Sequence, residues 1–282
     1  MDLTRVHQAN LAILKEIDRI CREEGIQYML DSGTLIGAVR HKGFIPWDDD
    51  ADVAFTRDNY TKFIRAAKKK LPAGMTLLEP KDLRNGTAFY DFTARICYDN
   101  SSTHEDSGEM QFYEGKLNHL WVDLFTIDEL PENKISAAFT KLLHKGIYGL
   151  AMGHRYHLDF SKYSLANKIF VGGLSAVGKL IPMKWIRRMQ FCAAVKDKKG
   201  ISGLCYYSNY QPDYLYVTLK KEWCSQTVDM EFEGEMLMVP AGWDQVLTCV
   251  YGDYMTPPPK EKQVPAHSDM EIEVFDDTRV KR

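Results

Sequence analysis

The sequence has no excess of positive charge. Lys and Arg number 36 against 39 Asp and Glu, a formal net charge of −3. A general nucleic-acid binder holds its ligand through a basic field, so that class is excluded and no nucleic-acid partner is expected. There is also no long apolar run. A bilayer span needs about 20 residues, and the most apolar stretch, Ile169–Gly178, is about half that and lies between Lys168 and Lys179. It reads as a buried or interfacial helix. Core packing through Leu174, Val177 and Ile181 competes there with peripheral contact with anionic lipid, helped by Lys184, Arg187 and Arg188. The six cysteines, Cys21, Cys97, Cys192, Cys205, Cys224 and Cys249, show neither CxxC nor Cys/His zinc spacing. That excludes a disulfide scaffold or zinc ribbon and suits free thiols in a reducing compartment. The first residues show no basic start, apolar run and cleavage site. The expectation is a cytoplasmic protein, with peripheral contact at the inner membrane face as its extension. No internal repeat or low-complexity linker is visible.

What is present is ordinary globular material: 282 residues, 45% hydrophobic, 27% charged and 12% aromatic. Val6, Ile13, Ile17 and Ile20 share one face of a predicted helix over residues 3–24, ended by Gly25. Strands are predicted at 26–30, 51–55, 75–79, 88–97 and 120–125. Ser32-Gly33-Thr34 is expected to form a turn before a short helix at 35–39. A further helix is expected to run to about Lys70, capped by Asp58. Residues 133–198 read as largely helical, 230–239 as a strand, and 243–250 as a helix stopped by Gly252. Pro257-Pro258-Pro259 then enforces an extended exit. The predicted class is α+β. Residues 1–130 form a catalytic core, 131–200 a helical region, and 201–282 a mixed C-terminal region that completes the active site.

The chemistry concentrates in residues 31–53. A small-residue turn after a strand lets backbone N–H groups approach phosphate oxygens. Asp48-Asp49-Asp50-Ala51-Asp52 then opens the next strand. Strand alternation sends Asp48, Asp50 and Asp52 to one side and Asp49 to the other. Two carboxylates at i and i+2 can grip Mg²⁺, which favours oxygen ligands and substrate phosphates. Asp123, a lone acid inside the apolar strand Leu120–Phe125, is the best third ligand; the competing reading is an ion pair with a residue such as Arg95.

The run from Gly33 to Asp52, the segment Trp121–Asp128, and the segment from Val239-Pro240 through Tyr251-Gly252-Asp253-Tyr254 to Pro258 closely resemble the LicD family. That family comprises bacterial phosphocholine transferases acting on cell-surface glycans and is related to the fukutin-type phosphoribitol transferases. The resemblance implies a nucleotidyltransferase-like mixed sheet flanked by helices, with a helical insertion and a mixed C-terminal part. It implies a phosphotransferase moving a phospho-alcohol from a CDP-alcohol such as CDP-choline to a glycan or lipid-linked glycan, lipopolysaccharide and teichoic acid being acceptor classes. It further implies Mg²⁺ (or Mn²⁺) on Asp50, Asp52 and Asp123, which are also the catalytic residues. Ser32, Gly33, Thr34, Arg40, His41 and Lys42 would serve the diphosphate. Trp47, Trp121, Tyr251 and Tyr254 are possible aromatic walls for a quaternary ammonium, with Asp253 complementing its charge. Two features depart from the pattern. Seventeen positions separate Gly33 from Asp50, and Arg95–Asp99 follows the family's basic-apolar-Asp segment only loosely. A nucleotidyltransferase, a metal-dependent glycosyltransferase and a non-catalytic binding protein are the alternatives.

Overall fold

The computed structural model describes residues 2–103, 107–161, 164–196, 201–265 and 272–275. Residues 162–163 and 197–198 of the predicted helical region lie outside them. In chain order the elements are α1 (Leu3–Glu24), β1 (Met29–Leu30), α2 (Ser32–His41), β2 (Ala51–Thr56), α3 (Arg57–Lys70), β3 (Met75–Leu78), β4 (Ala94–Tyr98), β5 (Ser101–Ser102), α4 (Gly108–Phe112) and β6 (Leu120–Leu130). Then come α5 (Lys134–Ala151), α6 (Leu165–Gly178), α7 (Met183–Val195), β7 (Leu204–Tyr207), β8 (Leu219–Lys220), α8 (Lys221–Cys224), β9 (Thr227–Phe232), β10 (Glu235–Pro240), α9 (Trp243–Tyr251) and β11 (Glu273–Val274).

The main sheet runs β1-β2-β6-β4-β3, a mixed sheet in an α+β chain. Among the described residues only β2 and β6 pair in parallel, with Asp52 beside Asp123. The long strand β6 is the spine. Its first half pairs β4 and its second half pairs β7, both on the edge away from β2. Helix α1 forms as its periodicity predicts. Asp2 caps it by accepting from the Thr4 N–H at 3.1 Å, and Gly25 ends it at φ 62°. Its apolar face packs with α2, α3 and the sheet into one core around Ile17, Leu30, Val53, Phe55, Phe63 and Leu124.

Four local readings are corrected. The Ser32-Gly33-Thr34 turn is the first turn of α2. Helix α3 starts at Arg57 with Thr56 as its cap, so Asp58 lies inside the first turn. The strand expected at 88–97 is confined to Ala94–Tyr98, because the backbone of residues 89–93 bonds elsewhere: the Phe89 N–H donates to the His154 carbonyl, the Tyr90 carbonyl accepts from Arg155, and the Thr93 N–H donates to the Asp91 carboxylate. The single strand expected at 230–239 is a hairpin. Glu233 (φ 52°) and Gly234 (φ 79°) form the two-residue turn between β9 and β10, where positive φ at both positions matches the twist of the strands.

That hairpin pins the loop between α2 and β2. The Glu233 N–H donates to the Lys42 carbonyl at 2.8 Å, the Glu233 carboxylate accepts from the Phe44 N–H at 3.0 Å, and Phe44 meets Phe232 edge to face. The helices α5 and α7 share a smaller core with Phe89 and Phe92. Helix α6 crosses α5 through glycine: a Cβ on Gly178 would lie 1.9 Å from the Leu150 carbonyl oxygen. Gly178→Ala should therefore destabilise the protein by about 2 kcal/mol or more, since backbone cannot yield as a side chain would. Gly173→Ala, with nothing within 4 Å, should be neutral or slightly stabilising. Thermal unfolding of the two variants side by side checks this; equal melting temperatures would contradict it.

Candidate functional site

The site is a row of charge across the sheet. Asp52 on β2 sits beside Asp123 on β6, which sits opposite Arg95 on β4. On the other side, the Asp31 N–H donates to the Asp52 carbonyl at 3.0 Å. The sheet thus lines up Asp31, Asp52, Asp123 and Arg95, all buried except Asp123, which is partly exposed. Thr34 locks α2 to this row, its hydroxyl accepting from the Asp52 N–H at 2.9 Å.

The acidic loop approaches from the side. Asp48, Asp49 and Asp50 precede the strand, so the pleat expected from alternation does not reach Asp49. Instead all three offer a carboxylate oxygen within 4.8 Å of one another. Helix α1 holds this loop from behind: His7 Nε2 is 2.7 Å from the Asp48 carbonyl, and the Asn10 amide donates to the Asp49 carbonyl at 3.4 Å. Gly33 lets the two segments approach closely: a Cβ there would lie 2.5 Å from an Asp48 carboxylate oxygen and would push that side chain aside.

Burial, then the charges of Asp50, Asp123, Asp31 and Asp48, hold the Asp52 carboxyl well above the ordinary carboxylate range. Burial pushes Asp123 up to about 6 against the pull of Arg95. Arg95 Nε lies 2.9 Å from Asp123 Oδ1, so the ion pair that competed with metal binding in the sequence is present. Arg95 also pairs with Asp91 and lies between the Tyr90 and Trp121 rings, whose centroids are 5.1 and 4.9 Å away. Trp121 donates to Asp123 Oδ2 at 3.3 Å. Trp121 therefore orients the Arg95–Asp123 pair.

Beside Asp31 lies a narrow cleft lined by Tyr207, Tyr210, Tyr214 and Tyr251 together with Ser32, and closed on the α9 side by aliphatic side chains including Val246 and Val250. The Tyr207 hydroxyl donates to Asp31 at 2.7 Å, and Tyr210 and Tyr251 line the cleft beside Ser32. Tyr210 stacks on Phe125, with centroids 4.2 Å apart. Ser32 takes φ 49°, an unusual conformation for a non-glycine residue, where the cleft meets the carboxylate row.

Of the residues singled out from the sequence, the structure brings together Asp50, Asp52, Asp123, Ser32, Gly33, Thr34 and Tyr251. Others are committed elsewhere. Lys42 is exposed and pairs with Glu231 at 2.9 Å. Arg40 donates to the Tyr254 carbonyl at 2.9 Å and to His41, and Trp47 meets His41 edge to face. Tyr254 is buried in the main core and gives its hydroxyl to Asp244 at 2.6 Å, so it clamps the chain behind α2. Asp253 spends its carboxylate on Thr256. Sequence reasoning missed Asp31, Tyr207, Tyr210 and Tyr214. The signal available was four tyrosines in the nine residues 206–214.

The LicD/FKTN/FKRP nucleotidyltransferase-domain family model matches residues 25–147, which contain the whole charged row. Across 268 residues the chain is 30% identical to the lipopolysaccharide cholinephosphotransferase LicD of Haemophilus influenzae, covering 91% of this chain and 92% of the relative. The chain belongs to the LicD family. Two partial relatives are uncharacterized proteins of Rickettsia: one of R. prowazekii, 40% identical over 121 residues (43% of this chain and 40% of the relative), and one of R. typhi, 26% identical over 123 residues (44% and 35%). The full-length similarity to the Haemophilus LicD protein takes in both the carboxylate row and the tyrosine segment.

Asp31 makes a testable prediction. Burial raises its pKa from 3.8 to about 6, with Tyr207 opposing. The folded protein thus holds a proton that the unfolded chain has released between these values. Stability from this group is greatest below pH 3.8 and falls as pH rises through about 6, by roughly 3 kcal/mol in all. Asp31→Asn should melt above the parent protein at pH 8 in metal-free buffer, and the gap should close towards pH 4. A gap independent of pH would contradict the assignment.

Proposed function

We propose that the protein transfers phosphocholine from a CDP-linked choline to a hydroxyl of a cell-surface glycan, lipopolysaccharide or its lipid-carried precursor, at the membrane face where such acceptors lie. The observation that carries this reading is the junction of the aspartate row with the tyrosine cleft at Asp31-Ser32, in a chain similar over nine-tenths of its length to a lipopolysaccharide cholinephosphotransferase. Aromatic faces around a buried carboxylate suit a quaternary ammonium, which cannot donate hydrogen bonds and is attracted by π-systems and by charge. Tyr207, Tyr214 and Tyr251 would offer the faces, with Tyr210 packed between Phe125 and Tyr214 behind them, and Asp31 is the charge.

The diphosphate then falls at the aspartates. A cluster of acids this crowded and buried calls for a cation, and its all-oxygen donors suit Mg²⁺ or Mn²⁺. Asp50 and Asp52, with Asp123 as third donor, would hold it. When bound, the ion would neutralise charge on the diphosphate and on the departing CMP. The acceptor oxygen attacks the phosphorus of the phosphocholine group, the bond to CMP breaks, and the acceptor proton passes to a carboxylate. Asp123, oriented by Arg95 and Trp121, is the carboxylate we assign as that base. Arg40 and His41, at the C-terminal end of α2, would serve the diphosphate only by leaving their present partners. A nucleotidyltransferase reading shares the aspartates and leaves the tyrosine cleft without a task.

Two measurements test this. Asp52→Asn should lower metal-dependent CMP release from CDP-choline at least about a thousandfold while the protein stays folded, as loss of a principal charge-stabilising group does. Tyr214→Ala and Tyr251→Ala should raise KM for CDP-choline about tenfold more than for a CDP-linked neutral polyol, the size of a lost cation–π contact. Equal effects on both donors would remove the choline assignment. Turnover of a nucleoside triphosphate in place of any CDP-alcohol would establish the nucleotidyltransferase reading.

A further inference from the structure

The helical region inverts the usual pattern of a surface helix. The solvent-facing residues of α6 beyond Lys168 are Ile169, Phe170, Gly173, Ala176 and Val177, while polar Ser175 is buried against the protein. Ile169 is 70% exposed, and Leu180, at the elbow that follows, is 84% exposed. A soluble helix places its polar residues outward; this stripe is apolar throughout.

Charge is segregated onto the same region. Residues 133–196 contain eleven Lys and Arg and a single acid, Asp159, in a chain whose net charge is −3. Lys168 and Lys179 bracket the stripe. Lys184, Trp185 and Arg188 are exposed on the first turns of α7, beyond a bend of 118° between the helices. The elbow is held from beneath by His154, whose Nε2 lies 3.0 Å from the carbonyl oxygens of both Gly178 and Ile181.

No single helix among the described residues is long and apolar enough to cross a membrane. The bent pair is also a poor span, because α7 carries Lys184, Arg187 and Arg188 and buries Met183, Ile186 and Ala193 in the protein core. An apolar stripe rimmed by cations with an interfacial tryptophan fits a surface of anionic headgroups over hydrocarbon. The fold connects this face to the site. Phe170 of α6 also lines a cavity with Lys145, Arg155, Pro212 and Asp213, and the next residue, Tyr214, lines the tyrosine cleft.

We infer that the exposed stripe of α6 and the elbow at Leu180 dock on an anionic bilayer surface. In this position the cavity at Phe170 opens at headgroup level, next to the transfer site. Only this last point rests on the lipid-carried acceptor proposed above; the docking itself is independent of the donor.

The test is co-sedimentation of the full chain with vesicles of phosphatidylglycerol and phosphatidylcholine, or of phosphatidylcholine alone. Binding should require the anionic lipid and weaken in high salt. The Ile169→Ser/Val177→Ser/Leu180→Ser variant and the Lys179→Glu/Lys184→Glu/Arg188→Glu variant should each lose about tenfold or more in affinity. Both should keep the parent melting temperature and CMP release from the water-soluble donor. If the parent chain ignores anionic vesicles, or the serine variant binds them equally well, the inference is wrong. It is equally overturned if the parent is a dimer that Leu180→Ser separates, since the stripe would then cover a second copy. Absence of choline transfer would instead remove the proposed function and leave the vesicle result to stand or fall by itself.

Discussion

Five aspartates converge on one end of the β2–β6 pair. Asp31, Asp48, Asp50, Asp52 and Asp123 all bear on that spot, and burial there makes each additional negative charge expensive. Arg95 supplies a counter-charge to Asp123 in this row, and it is itself shared with Asp91. Such a concentration raises the carboxyl pKa values instead of contributing stability. Carboxylates perturbed in this way mark a functional site rather than a stabilising one.

Much of the surrounding architecture serves to hold this repulsive cluster in place. Helix α1 binds the acidic loop through His7 and Asn10. Thr34 fixes α2 against β2. The β9–β10 hairpin clasps residues 42–44, which accounts for the long interval between Gly33 and Asp50: the intervening chain is a tethered strap. Tyr207 and Tyr210, from the end of β7, meet Tyr251 at the end of α9. The C-terminal third of the chain thus contributes to the same site as residues 31–52, as a LicD-type likeness spread along the whole sequence would require.

The parts of this that were legible in the sequence were those set by local chemistry. The Asp-rich run before an apolar strand announced a charged site, and Asp123 stood out as an acid in an apolar strand. Gly25 and Gly252 marked helix ends that the structure places at Gly25 and Gly252. What escaped depended on distant partners. The pleat could not sort Asp48 to Asp50 because the strand begins only at Ala51. Tyr254 and Trp121 are as aromatic as Tyr251, and only tertiary structure shows that one serves the core and the other an arginine. Asp31 had no local signature, since its role comes from Tyr207, 176 residues away. Lys42 looked like a phosphate ligand until the hairpin supplied Glu231.

The central claim is that the aspartate row and the tyrosine cleft form one site for a choline-bearing diphosphate. A crystal structure of the protein with Mn²⁺ and CDP-choline, using the anomalous signal of manganese, tests it most directly. The expected result is a manganese peak between Asp50 and Asp52, with the trimethylammonium group enclosed by Tyr207, Tyr214 and Tyr251 beside Asp31. A manganese ion away from those aspartates, or a choline group lying outside the tyrosines, would contradict it.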